Sequence, residues 1–565
     1  MEASYEAPCG SIHTQNDDFM SEWATRQYVD KYSWKDEDGE PTEVWPDTAY
    51  RVVRHVLGTL GYDVDSYEVR ALTQLVSDRK FIPGGRYLAM SGRPKHQTNN
   101  CFLYRCADSI AGDDGWADLV SKSIKALASG GGIGTVYSDV RPYGSLIKST
   151  GGIGTGPLSP AKMVNEVARH VLSGGHRRAA VWGGLHWWHP DIFDWIASKD
   201  WSDEIKALKE KDHEFPAPLD MTNISVILDS EFFLAYHNAQ HKQHQWAQNV
   251  YWRATEHMLR HGEPGFSVNV GADVNECLRN ACTEITSEDD SDVCNLGSIN
   301  LARIKNQDEL AETTRLATLF LLAGTVYSDV PHEEVLATRE KNRRLGLGLM
   351  GVHEWLIARG YDYSIVPELR EWLGLWRDVS DESAERYSTE YDLSCPVKRR
   401  AIAPNGTIGI IGETTTSAEP VLFAAYKRRF LDHGTWKHQF VLDPTVERMR
   451  VRYGIDPDAI ETAYTLALNP EKRIKFQADL QEYVDHGISS TINLEAPITD
   501  PAEIRHYGEI FMGYLPKLRG FTCYPNGARS GQPFEACTWF EASRKLGVTY
   551  EENREGQCSS GACGI

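Results

Sequence analysis

A chain of 565 residues, 41% hydrophobic and 10% aromatic, has ample material for burial, enough for roughly two to four domains or for one large α/β barrel with additions. Its 59 Lys and Arg stand against 80 Asp and Glu, a formal net charge of −21, which argues against DNA as a partner but leaves room for a nucleotide in a locally cationic or amide-lined pocket. No apolar run reaches the ~18 residues of a membrane span, the start Met1-Glu2-Ala3-Ser4-Tyr5-Glu6 lacks the basic flank and apolar segment of a secretory signal, and eleven dispersed cysteines fit a reducing, cytoplasmic setting better than a disulfide framework.

Residues 1–45 are polar and acidic, with Trp45-Pro46 as a boundary. Val52, Val53, Val56, Leu57 and Leu60, then Val69, Leu72, Leu75 and Val76, carry helical periodicity on either side of Gly61, so 1–79 reads as a helical cap. Phe81-Ile82-Pro83-Gly84-Gly85-Arg86 predicts a turn, Cys101–Tyr104 a strand and 114–128 a helix. Two glycine runs follow, Gly130–Gly134 and Gly151–Gly156. Neither continues into Gly-Lys-Ser/Thr, and neither has the spacing of a dinucleotide fingerprint. Tight backbone turns explain them equally well. The stretch His186–Trp195, dense in Trp and His, is read as packed core over metal site. Strand and helix patterns alternate through 200–330, with Leu310–Leu322 the clearest helix, which makes the body, 80–540, an α/β domain. From 541 the chain turns Glu-, Gly- and Ser-rich, and 541–565 reads as a flexible tail.

One short segment concentrates chemistry. If Asn280-Ala281-Cys282-Thr283-Glu284 is extended, the strand period of two sets Asn280, Cys282 and Glu284 on one face: an amide, a thiol and a carboxylate. A carboxylate can take a proton, an amide can orient a hydroxyl, and a thiol can act as nucleophile or sulfur radical. A lone cysteine is more often an inert small hydrophobe, so the reading depends on what accompanies it.

The accompaniment resembles the ribonucleotide reductases. Cys101 in Thr98-Asn99-Asn100-Cys101-Phe102 and Cys294 in Cys294-Asn295-Leu296-Gly297 look like that family's substrate-reducing cysteine pair. Ala403-Pro404-Asn405-Gly406-Thr407-Ile408-Gly409 looks like its substrate-phosphate loop, and Cys558-Ser559-Ser560-Gly561-Ala562-Cys563 like its mobile redox shuttle. Arg343–Gly351 resembles a barrel strand whose glycines permit close neighbours. Asp108 with Ser109 and Ile110, and Arg141 and Lys148 in Asp139–Lys148, resemble the pocket for a dNTP or ATP specificity effector. Ser173–Ala180 resembles the loop linking effector to substrate.

The resemblance implies a ten-stranded α/β barrel. It implies that Cys282 as a thiyl radical takes the 3′ hydrogen, Glu284 accepts the 3′-hydroxyl proton, Asn280 holds the hydroxyls, and Cys101 with Cys294 delivers two electrons. Asn100 and Pro404–Ile408 line the substrate, with Asn405 and Thr407 adding side-chain bonds. Cys558 and Cys563 carry electrons inward from thioredoxin or a glutaredoxin-like dithiol. A coil of about 25 residues spans roughly 25–30 Å, enough for that journey. Tyr524 is followed by Pro525, so the adjacent tyrosines of the class that uses a separate radical subunit are missing, and no glycyl-radical motif is found. The string therefore looks like the adenosylcobalamin-dependent class, with cobalt in the cofactor and no protein metal site. No ATP-sensing module is recognisable in 1–79, and the chain is expected to be a homodimer. The competing readings are a class with a partner radical subunit and a nucleotide-binding regulatory protein of the same fold. A zinc site at Cys523, Cys537, Cys558 and Cys563 lacks the close pairs such sites use.

Overall fold

The computed structural model describes residues 20–173, 178–212, 214–432, 435–526 and 534–551. In chain order the strands are β1 (Phe81–Pro83), β2 (Cys101–Arg105), β3 (Gly132–Val136), β4 (Val181–His186), β5 (Thr222–Asp229), β6 (Gly265–Asn269), β7 (Leu278–Arg279), β8 (Thr286–Ser287), β9 (Asp292–Asn300), β10 (Leu345–Met350), β11 (Ala425–Asp432), β12 (Thr435–Leu442), β13 (Ile492–Leu494), β14 (Gly520–Phe521), β15 (Cys523–Pro525), β16 (Phe534–Cys537) and β17 (Thr549–Glu551).

Strands β2 to β6 are parallel because a helical crossover follows each, among them Trp116–Ala128, Leu158–His170 and His244–His261. Strand β9 meets β2 antiparallel, β10 runs parallel to β9, and β14 closes on the far edge at β6, antiparallel. With β1 beside β9, the sheet holds nine strands. Beyond β10 the ladder continues only as single parallel bridges, Leu347 with Arg400 and Ile402 with Ile488. A continuous ten-stranded ladder is therefore not traced among the described residues. The segment from Lys398 leaves the ladder at Pro404, which has no N–H to donate.

Period-two burial divides β2. Phe102 and Tyr104 pack outward against the helices with Trp116, Leu119 and Leu127, whereas Leu103 points inward with Val136, Trp182, Ile227, Leu278, Ile285, Leu296 and Ala403. That inner cluster draws on both strand directions and on the β7–β8 hairpin, so the hairpin fills the middle of the sheet's concave side.

The helix expected at 310–322 runs Gln307–Tyr327, its first turn capped by Asn306, whose side chain accepts the Glu309 N–H at 2.9 Å. The cap at 47–79 forms two helices, Trp45–Gly58 and Tyr67–Ser77, and Trp45-Pro46 is the first turn of one rather than a boundary before it. These helices share one core with Phe320, Leu347 and Ile411, so the cap is packed into the body. The Trp- and His-rich stretch is core as expected: Trp187 and Trp195 are fully buried, and His189 spends both ring nitrogens on backbone, Nε2 donating to Val140 O at 2.9 Å and Nδ1 accepting the Asp191 N–H at 3.1 Å.

The tail boundary at 541 falls inside ordered structure. Trp539–Arg544 is a helix, and β17 pairs with β12 in a four-stranded sheet with β11 and β16. Burial of Ala542 against Phe440, with Trp539 and Tyr550 packed beside them, supplies the apolar contact that polar composition concealed. Cys558 and Cys563 lie outside the described residues. Among those residues no helix is long and apolar enough to cross a membrane.

Candidate active site

Residues 280–284 are not extended. They form the tip of the β7–β8 hairpin, with Asn280 O accepting the Thr283 N–H at 3.0 Å and Asn280 Oδ1 accepting the Ile285 N–H at 3.0 Å. Thr283 has φ 68°, a left-handed conformation costly for a β-branched residue, and it persists because the loop is clamped on both sides. On one side Gly487 N–H donates to Glu284 O at 2.6 Å. On the other the loop lies on β3, where a Cβ at Gly134 would collide with Arg279 O and one at Gly132 would come within 3.0 Å of Ala281 Cβ and 3.4 Å of Cys101 Sγ. The first glycine run thus has a purpose beyond turning: it lets the thiol-bearing loop approach the sheet.

Buried charge steadies the hairpin's base. Arg344 reaches Glu276 at 2.9 Å and Asp292 at 2.7 Å, Lys398 binds Asp273 at 2.8 Å and pairs with Glu276, and Thr286 N–H donates to His486 Nδ1 at 3.2 Å. Groups this deep, each partnered, hold a geometry that one unpaired member would disrupt.

The tip opens into a cavity of about 350 Å³, within the size range of small-molecule sites. Its walls include Asn100 and Cys101, Gly130 and Gly132, the tip residues Ala281, Cys282 and Glu284, Leu296 and Ala403–Ile408, and also Tyr32, Arg86 and Arg178. Asn100 Oδ1 is buried in its wall with no hydrogen-bond partner among the described residues, the condition expected of a group that serves a bound molecule; Asn280 is fully buried behind the lining, its side chain bonding toward Glu284 and Cys101. Burial pushes the Glu284 carboxyl up to about 7. Burial, reinforced by the Glu284 charge, pushes the Cys101 thiol up to about 12 and raises Cys282 well above the ordinary thiol range. Nucleophilic cysteines are made by lowering that value. Here both sulfurs keep their hydrogen at neutral pH, which suits transfer of hydrogen atoms rather than attack by thiolate.

Cys294 lies on β9 with its Cα directly paired to that of Cys101. In the loop after Ala403, Asn405 adopts φ 56° ahead of the short helix Gly406–Gly412. Asn405 Nδ2 donates to Ser298 Oγ at 2.9 Å, which anchors the loop to β9. Pro404, Asn405, Gly406, Thr407 and Ile408 all line the cavity, and Thr407 Oγ1 accepts from Lys31 Nζ at 3.1 Å.

The other expected site lies away from the cavity. Asp108 and Arg141 come together, Arg141 Nε donating to Asp108 at 2.8 Å, so two of the residues expected to hold an effector are paired with each other. Ser109 Oγ accepts the Gly112 N–H at 2.9 Å, and Ile110 is exposed. Lys148 is exposed at the turn of a hairpin bridged by Leu146 and Ile153, whose return arm is the second glycine run. Tyr524 sits in β15 against Gly262 and does not line the cavity. Cavity residues Tyr32 and Arg86 carried no local sequence signal, because their neighbours in space are far away in the chain.

A family profile described as ribonucleotide reductase, barrel domain, matches residues 99–255, 276–369 and 397–512. The chain is 26% identical to a protein of Mycobacterium tuberculosis (strain ATCC 25618 / H37Rv) named vitamin B12-dependent ribonucleoside-diphosphate reductase, over 94% of this chain and 81% of that one. It is 27% identical to a putative adenosylcobalamin-dependent ribonucleoside-triphosphate reductase of Mycobacterium phage D29, over 76% and 71%. A Thermoplasma acidophilum protein named vitamin B12-dependent ribonucleoside-diphosphate reductase is 25% identical over 83% of this chain and 66% of its own.

Proposed function

Because the chain belongs to the ribonucleotide reductase family, we propose that it converts ribonucleotides to 2′-deoxyribonucleotides by thiyl-radical chemistry with adenosylcobalamin as its radical source. The observation that carries this reading is the meeting of Cys282, Glu284 and Cys101 in one cavity, both thiols held protonated. Relatives named for vitamin B12 or adenosylcobalamin align with most of the chain, which favours this class over one with a separate radical subunit.

The residues suit an oxidant arriving from outside rather than an internal relay. Cys282 is only partly buried, whereas Tyr524 is followed by Pro525 and lies off the cavity. Adenosylcobalamin, when bound, supplies one-electron chemistry able to remove the hydrogen atom of the Cys282 thiol. The sulfur then takes the 3′ hydrogen of the ribose, Glu284 accepts the 3′-hydroxyl proton, and Asn280 orients the hydroxyls. The 2′-hydroxyl leaves as water with a proton from the cysteine pair. Cys101 and Cys294 together give two electrons and a second hydrogen, which goes to C2′, and end as a disulfide; Glu284 returns its proton to the 3′ oxygen, and Cys282 returns its hydrogen to C3′. A positioned general base contributes typically ~100- to 10,000-fold.

The finer expectations belong to the same reading. Two strand directions, the bridges at Arg400 and Ile488 and an inner cluster fed from both sides support a ten-stranded barrel. We assign Asp108, Ser109, Ile110, Arg141 and Lys148 to a dNTP or ATP effector at a homodimer contact, and Cys558 and Cys563 to electron delivery from thioredoxin or a similar dithiol. Turnover with ribonucleotide, dithiothreitol and adenosylcobalamin, each omitted in turn, tests the whole. Product formed without the cobalamin overturns the choice of cofactor, and no product in the complete mixture overturns the function.

A further inference from the structure

We propose that a second cavity, between two helices and sharing no residue with the cavity of Cys282, binds a nucleoside phosphate; the inference is independent of the reductase reading. Its volume is about 580 Å³, larger than the Cys282 cavity and within the range of small-molecule sites.

The helices His244–His261 and Pro501–Tyr514 form it, with Phe193 contributed by the helix Ile192–Ile196. On the first helix Asn249, Trp252, Arg253, Glu256 and Arg260 recur at three- and four-residue steps, which sets them on one face. The other face, with Val250, Tyr251, Ala254 and Met258, is buried against the outer side of the sheet, so the polar face is turned away from that core. On the second helix Pro501, Ile504 and Arg505 follow the same steps. Gly508 lets the two helices close on each other, since a Cβ there would come within 2.3 Å of the Trp252 ring. The buried Tyr251 hydroxyl donates to Gly508 O and fixes that approach.

Charge and ring area identify the ligand class. Acidic residues outnumber basic ones 80 to 59 in the chain, yet this lining holds three arginines and one carboxylate. Glu256 is shared by two of them, Arg260 at 2.8 Å and Arg253 at 3.7 Å, and one negative charge does not balance both. Arg260 Nε is buried with no hydrogen-bond partner among the described residues. Arg505 forms no ion pair among those residues; its guanidinium lies 4.5 Å from the centre of the Trp252 ring. Guanidinium forks match phosphate oxygens in geometry as well as charge. The half-buried rings of Trp252 and Phe193 add flat apolar area on which a nucleobase stacks and a bare phosphate does not. A cavity of this size suits a mononucleotide, whereas a nucleic acid would meet the net charge of −21 over the rest of the chain.

The test is photolabelling of the full, reduced chain with 8-azidoadenosine 5′-diphosphate, followed by peptide mapping. Label should appear on the peptides carrying Phe193, Trp252 or Arg505, and ADP should displace it at concentrations at least about tenfold lower than adenosine requires, the scale of a charge-assisted phosphate contact. Arg505→Ala should cut this label several-fold while the thermal unfolding midpoint holds, because the side chain is exposed and bears on one ring. Arg253→Ala with Arg260→Ala should cut it further. Absence of label from all three peptides overturns the site, as does label that ADP fails to displace or that persists in full in both variants. Displacement by adenosine as readily as by ADP overturns the phosphate contact. Displacement by hexaglutamate at lower concentration than ADP overturns the nucleotide and gives the cavity to an acidic peptide segment.

Discussion

Cys101 on β2 and Cys294 on β9 are directly paired residues of an antiparallel ladder. Such neighbours have Cα atoms about 4.5–5.5 Å apart, inside the ~4.4–6.8 Å window of disulfides, so the two can oxidise together without moving a strand. The prediction is that prereduced enzyme given substrate and cofactor but no reductant completes a single turnover and stops. Peptide mapping should then find Cys101 linked to Cys294. Continued turnover without reductant, or a disulfide at another pair, would falsify the assignment.

Cys282→Ser should abolish deoxynucleotide formation while leaving the thermal unfolding midpoint and effector binding close to wild type. The residue is at a hairpin tip whose clamps, Asn280 to Ile285 and Gly487 to Glu284, do not involve its sulfur. Measurable product from the serine variant would remove Cys282 from the centre of the chemistry.

Glu284 should set an acid limb in the pH profile. Burial raises its carboxyl to about 7, and only the ionised form accepts the 3′-hydroxyl proton, so kcat/KM should rise with pH through that value. Glu284→Gln should lose ~100- to 10,000-fold and the limb with it. Stability has the opposite sign. The folded chain holds this proton more tightly than the unfolded chain, whose carboxyl titrates near ~4.3. The group's contribution is complete below that value and is lost as pH rises through about 7. The Gln variant should therefore resist alkaline unfolding better than wild type, as read by thermal melts. A wild-type profile flat across this range would show that another group is the base.

Cys558→Ser or Cys563→Ser should stop turnover driven by a protein dithiol such as thioredoxin yet spare turnover driven by a small dithiol that enters the cavity. The described chain ends at β17, pinned to β12, and Cys558 lies seven positions beyond Glu551. Equal loss with both reductants would mean that the tail pair has a different role.

Arg141→Ala should weaken effector binding about 10- to 100-fold, the scale of a charge-assisted contact of roughly 1.5–3 kcal/mol, and blur base selectivity while basal turnover of at least one substrate survives. High dATP should shift base preference without silencing the enzyme. The Arg141–Asp108 pair, each side chain about a third exposed, has to open or rotate for both residues to meet a nucleotide. Effector response unchanged in the variant, or dATP inhibition of all four substrates, would place regulation elsewhere.

Residue chemistry and short-range pattern were legible in the sequence alone. The amide, thiol and carboxylate at 280–284, the helix within 307–327 and the Trp-rich core at 187–195 all follow from side-chain type or from local periodicity, which a linear string preserves. The folded structure alone decided how distant segments constrain one another. Thr283 takes a left-handed turn because β3 and Gly487 leave no space for a strand. Asn405 bonds back to Ser298, 107 positions away, and Lys31 reaches Thr407 across 376 positions. Residues 541–551 join a sheet whose other strands begin at Ala425. Each of these outcomes depends on contacts between surfaces that exist only after the chain has packed, and hydrophobic period within a window of ten or twenty residues carries no record of them.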